Sequence, residues 1–236
     1  MILITSALMA GCSREEFFDL FTLKSVRVVT TGEQTEDIKE LMDRAKGHES
    51  EINKKIEAGD SLADVYEALG VAFLLRKNWE LSIENLEKAI SFGNVAHDIH
   101  RRLAIAYSNR GRELNNNSDF DKAVYHYKLA LEKNPDNHDA MYGLSLVLFF
   151  EKDDKKAGIE LIKELTQKKP DYYEARMAYG RMLYEDGNRN GALSIYQSMM
   201  EDLNIDSDAR TRFENDVMSN INRITRELAS GVADDQ

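Results

Sequence analysis

Four stretches of the chain carry residue types that could do chemistry. Asp186-Gly187-Asn188-Arg189-Asn190-Gly191 sets oxygen-bearing side chains at alternate positions before a glycine, the opening of a calcium-binding loop. Such a loop closes on a bidentate glutamate, and Gln197 stands in that place. A neutral amide supplies neither the charge nor both oxygens, whereas Gly and Asn here also suit a tight turn. His97 and His100 lie three residues apart on one helical face and could share a metal ion. No third ligand follows at motif spacing, so His97 is read as a helix start and His100 as a packing position. Gly143-Leu144-Ser145 lacks the second glycine of a nucleophile elbow, and no glycine-rich phosphate loop or metalloprotease motif occurs. Cys12 is the single cysteine, which excludes an internal disulfide framework and a cysteine-rich zinc site. The expectation is a protein that is not an enzyme and holds neither cofactor nor metal.

The elements that would position these residues are legible from one stretch, Phe120 to Asn137. Small Ala123, bulky Tyr127 and small Ala130 recur at helical spacing, and Pro135 ends the run. A small residue lets a neighbouring helix approach closely, a ring fills the gap one turn on, and proline cannot continue a helix. The small position recurs at Ser82, Ala123, Ala157 and Ala192, at spacings of 41, 34 and 35 residues. Leu86, Tyr127, Leu161 and Tyr196 follow four residues later each time. Leu69-Gly70, Leu103-Ala104, Leu144-Ser145 and Tyr179-Gly180 supply a bulky–small pair in each preceding helix.

This set resembles the tetratricopeptide (TPR) repeat, a helix–turn–helix unit of about 34 residues. The resemblance implies an all-α, right-handed TPR solenoid of about four repeats over residues 60–206. The second repeat is seven residues longer than the unit. Seven residues make about two helical turns, so an extension of its first helix through Leu114 keeps the same face inward and is favoured over a long polar loop, which Asn115-Asn116-Asn117-Ser118 would also suit. A helix over residues 35–59, with Gly59 as its terminator, is expected to cap the first repeat. A second amphipathic helix over 207–229, with Phe213, Val217, Ile221, Ile224 and Leu228 on one face, is expected to cap the last. Residues 230–236 read as a disordered tail.

The first twelve residues, an apolar run with small Ala10 and Gly11 before Cys12, resemble a bacterial lipoprotein signal and its lipobox. That resemblance implies lipidation of Cys12 and anchoring to the inner or outer membrane, facing the periplasm. Met9 departs from the usual residue types, and the absence of Lys or Arg before the run suggests a start further upstream or a damaged signal. Residues 13–34 hold Phe17, Phe18, Leu20, Phe21 and Leu23, too apolar for a free tether, and are read as a docking or contact segment.

With Lys+Arg at 31 against Asp+Glu at 42, the net charge of −11 disfavours nucleic acid and unaided binding to anionic lipid. In TPR proteins the first helix of each repeat lines a concave groove. Carried onto this chain, the resemblance implies a partner-binding groove containing Arg101, Ile105, Tyr142, Leu146, Phe149, Phe150, Met177, Arg181 and Tyr184. Aromatic faces with two arginines suit an apolar peptide or helix bearing a carboxylate. The functional expectation is a membrane-anchored periplasmic adaptor for a protein or peptide partner. Two other occupants of the groove stay open: an apolar small molecule held for a transport system, or the protein itself, through residues 17–29 or a second copy in a homo-oligomer.

Overall fold

The computed structural model describes residues 43–44, 59–93, 97–201 and 207–231. Among them nine helices follow one another and no strand occurs: α1 (Gly59–Leu75), α2 (Trp79–Ser91), α3 (His97–Leu114), α4 (Asn117–Lys133), α5 (His138–Phe150), α6 (Lys155–Lys168), α7 (Tyr173–Glu185), α8 (Arg189–Glu201) and α9 (Ser207–Ala229). Two compact units divide these residues, one reaching Val147 and the other starting at Leu148, so α5 runs through the division. Cys12, the segment 13–34 and the last five residues of the tail lie outside the described residues, as does most of the expected first cap. Gly59, expected as a terminator, is the first described residue of α1.

Each helix pair closes with the same turn chemistry. Lys77, Asn115, Asp153 and Gly187 take left-handed backbone conformations, with φ of 58°, 51°, 54° and 88°. The amide after each one bonds back to the preceding helix: Asn78 to Phe73, Asn116 to Gly111, Asp154 to Leu148 and Asn188 to Leu183. That residue's side chain then accepts from the first turn of the next helix. Asn78 accepts from Leu81, Asn116 from Ser118, Asp154 from Ala157 and Asn188 from Gly191, at 2.7–3.2 Å. A left-handed residue satisfies the orphan carbonyls of one helix, and an Asn or Asp cap satisfies the orphan amides of the next. The calcium-like stretch 186–191 is the fourth instance of this turn.

Between the helices of a pair, small residues meet large ones. A Cβ added at Gly70 would stand 2.5 Å from Cγ of Leu86, and one at Gly180 would stand 2.7 Å from Cζ of Tyr196. Ser82, fully buried, donates its hydroxyl to the Gly70 carbonyl at 2.8 Å, which is how a polar residue holds the small position. Ala123 and Ala192 are fully buried there, while Ala157 is half-buried beside buried Gly158. Fully burying a Leu, Ile or Val contributes about 1.5–3 kcal/mol, and Leu62, Leu86, Ile99 and Leu103 do this in the unit up to Val147.

The extra length of the second repeat is helical, since α3 continues to Leu114. Gly111 lets the Phe120 ring approach to within 2.9 Å of where its Cβ would be. Arg110 then grips buried Asp119 bidentately, Nε to Oδ2 and Nη2 to Oδ1 at 2.8 Å each, and reaches Glu80 at 2.6 Å with Nη1. In the unit from Leu148, α9 lays Val217 and Ile224 against Leu183, Ala192, Tyr196 and Met199, with Ile221 and Leu228 half-buried beside them. The apolar face of α8 is thereby covered.

Candidate functional site

In the unit up to Val147, the residues expected to line an open groove are interior. Arg101 is 2% exposed, Ile105 3%, Tyr142 2% and Leu146 2%. The reason is visible along α3, which is buried on nearly every side from Ile99 to Asn109. Arg101, Ile105, Tyr142 and Leu146 therefore pack inside the unit, covered by other parts of the chain. Arg101 does not wait for a partner's carboxylate. Its Nε donates to Asp98 Oδ1 at 2.6 Å, and Nη1 lies 3.9 Å from Asp139 Oδ2 on α5. Burial works to lower its pKa, but the two carboxylates outweigh burial and hold it above the ordinary value. Arg102 beside it bonds Asp98 Oδ2 at 2.7 Å and Glu67 of α1. A ladder of charge, Glu67–Arg102–Asp98–Arg101–Asp139, thus joins α1, α3 and α5. Neither its partners nor its depth was legible in the sequence, although the spacing of acids and arginines along α3 was there to be read.

The unit from Leu148 treats its share differently. Phe149 is buried at 3% and meets Phe150 edge to face, with centroids 4.7 Å apart. Phe150 is half-buried and carries the Arg181 guanidinium over its ring at 5.3 Å. Arg181 also donates from Nε to Glu185 Oε1 at 2.7 Å, an ion pair one turn along α7. Met177 and Tyr184 are half-buried, and Met177, Arg181 and Tyr184 succeed one another by single turns. The Tyr184 hydroxyl donates to Glu227 Oε1 of α9 at 2.8 Å, and Arg223 of α9 stacks on its ring at 4.3 Å. Burial, then the bond to Glu227, pushes the Tyr184 phenol up. The capping helix therefore already takes one of the expected contact side chains.

The remaining suspects have structural employment. His97 opens α3 and His100 packs against His126 of α4. Gly143 lies in mid-helix, where an added Cβ would meet the Tyr127 hydroxyl at 2.3 Å. Burial pushes the Tyr127 phenol up to about 12. No group of three or more His, Cys, Asp or Glu side chains converges among the described residues.

The turn and packing pattern has a known counterpart. The family model for the tetratricopeptide repeat matches residues 104–137, the span from mid-α3 through the end of α4. Solved TPR proteins share the fold around it. The chain carries a tetratricopeptide-type repeat at residues 104–137, within a fold that it shares with solved TPR proteins. YrrB, a TPR protein with an unusual peptide-binding site, is 16% identical over 76% of this chain and 84% of its own, with a TM-score of 0.54. MamA from Desulfovibrio magneticus RS-1 is 13% identical over 79% of this chain and 94% of its own, at 0.57. A TPR protein from Parabacteroides merdae is 15% identical over 94% of this chain and 81% of its own, also at 0.57. A comparison with curated proteins gives no match. Identities this low carry the fold alone.

Proposed function

We propose that this protein is an adaptor that binds a protein or peptide partner, tethered to a bacterial membrane by a lipid on Cys12 and facing the periplasm. The observation that carries the binding reading is half-buried Met177 and Arg181 one turn apart on α7, with Phe150 beneath Arg181; Tyr184, the next in the stripe, is engaged by α9. Such a stripe offers wide apolar contact beside a guanidinium, the composition of interaction hot spots. The Arg181–Glu185 pair is a partly exposed one and holds Arg181 weakly, so a partner's carboxylate can exchange for Glu185. Arg101, Ile105, Tyr142, Leu146 and Phe149 serve this reading from the interior, by fixing the helices. The tether rests on the run before Cys12. Among the described residues no helix is long and apolar enough to cross a membrane.

One experiment tests both halves: cross-linking in the native cell followed by separation of membrane and soluble fractions. Phe150→Ala with Arg181→Ala should lower partner capture at least tenfold while helix content stays at the wild-type level. Cys12→Ala should move the protein to the soluble fraction, since stable anchoring takes two acyl signals. Undiminished capture by the double variant removes α7 from the interface. Unchanged membrane association of Cys12→Ala, with no acyl mass on the wild type, ends the lipid reading.

A further inference from the structure

The second repeat contains two buried or half-buried imidazoles that face each other. Nδ1 of His100 on α3 lies 3.2 Å from Nδ1 of His126 on α4. Their ring centres are 5.4 Å apart with an interplanar angle of 22°. The centre separation exceeds the nitrogen separation by about two ring radii, so the nitrogens lie between the rings and point at each other. That is a nitrogen-to-nitrogen hydrogen bond, and it needs one Nδ1 protonated and the other bare. The pair has no better use as a metal site, because lone pairs aimed head-on at this distance leave no position from which one ion could meet both.

The surroundings are unfavourable to added positive charge. Tyr107 of α3 stacks on His126 at 5.7 Å and 6°, and Tyr125 of α4 packs edge-on at 5.2 Å. Lys122 of α4 and Arg110 of α3 lie over the Tyr107 ring at 5.0 and 5.3 Å. Lys133, at the end of α4, acts on His100. Among the described residues, Glu87 of α2 and Asp119 of α4 act on Tyr107 here; the Tyr107 hydroxyl donates to Glu87, and Asp119 is held by Arg110.

We propose that the His100–His126 pair makes the second repeat acid-sensitive: a first proton can be taken at the outer nitrogen of the donor ring, but a second sets two Nδ1 protons against each other and drives α3 from α4. Burial first, then the charge of His100 and Lys122, lowers the His126 pKa to about 4 from an ordinary 6.5. Burial and Lys133 lower that of His100 as well. Both groups are depressed in the folded state, so the folded protein binds fewer protons than the unfolded chain below the ordinary value. The stability they confer is complete above about pH 6.5 and is lost as the pH falls toward about 4. Of the two helices that separate, α3 carries Arg101 and Arg102, so the charge ladder loosens as α3 shifts.

The test is urea unfolding of the full chain at intervals from pH 8 to 4.5, beside NMR titration of the imidazole C–H signals. The wild-type unfolding constant should rise about tenfold per pH unit below 6.5 for each proton the folded pair refuses. His126→Phe, which cannot take a proton, should remove one proton from that slope while the carboxylates titrate as before. Imidazole signals of His100 and His126 that titrate together near 6.5 would overturn the proposal, and this readout stands even if His126→Phe does not fold. A slope equal in the wild type and a folded His126→Phe would overturn it too.

Discussion

Gly180 shows how much one missing methyl group can decide. Its Cα faces the Tyr196 ring so closely that a Cβ would sit 2.7 Å from Cζ and 2.8 Å from Cε1. Tyr196 is 1% exposed and its hydroxyl reaches the Met177 carbonyl at 3.5 Å, so the ring has little room to retreat. Gly180→Ala should therefore destabilise the protein by about 1–3 kcal/mol through overpacking, although alanine is the better helix former. Urea unfolding at neutral pH measures this, and an unchanged midpoint would show that the ring yields. The pairing of a small residue with a ring sixteen positions later was legible from Gly180 and Tyr196 alone, because size complementarity is written in residue types. The interior place of Arg101 and Tyr142 was not legible. A sequence shows which helix face a residue occupies, whereas burial depends on what the rest of the chain lays over that face. The ion pairs Arg102–Glu67 and Arg101–Asp139 show that α1 and α5 both come up against α3. With Phe149 likewise buried, a Phe149→Ala variant would hollow the core, so Phe150 is the ring with which to probe binding.

The last two turns of α3 pose the corresponding question for an element. Their helical state followed from the seven-residue excess in the second repeat, since two whole turns return the helix to the same face. What holds them was hidden: Arg110 and Asp119 are nine residues apart and separated by a turn. Asp119 is 1% exposed with both oxygens bound to Arg110, while Glu80 on the other side of the guanidinium is largely exposed. Burial lowers and the bonds to Asp119 and Glu80 raise the Arg110 pKa, with the bond to Asp119 the largest effect and a net rise. Asp119→Ala should cost about 3 kcal/mol, since it leaves a half-buried cation with one solvated partner. Thermal unfolding would read the loss, and Glu80→Ala should show well under half of it. The four Asn or Asp caps at 78, 116, 154 and 188 were also available in the sequence. A single Asn or Asp is common in any turn, and only its recurrence at all four turns marks it as a cap.

For the molecule as a whole, the repeats need closed ends, and α9 closes one. Removing residues 207–236 would uncover Leu183, Tyr196 and Met199 where Val217 and Ile224 now lie. The truncated protein should melt at lower temperature and self-associate, which light scattering at rising concentration would show. A monomeric truncation of unchanged melting temperature would mean that the fourth repeat closes itself. The ties described above share a further property. Tyr107 reaches Glu87 across 20 residues, Arg102 reaches Glu67 across 35, and Tyr184 reaches Glu227 across 43. The first joins consecutive helices and the other two join helices separated by one, so the loops to be closed are short and their entropy is small. During synthesis, a helix pair can lock as soon as the next helix emerges, and the growing chain need never expose more than one unfinished apolar face at a time.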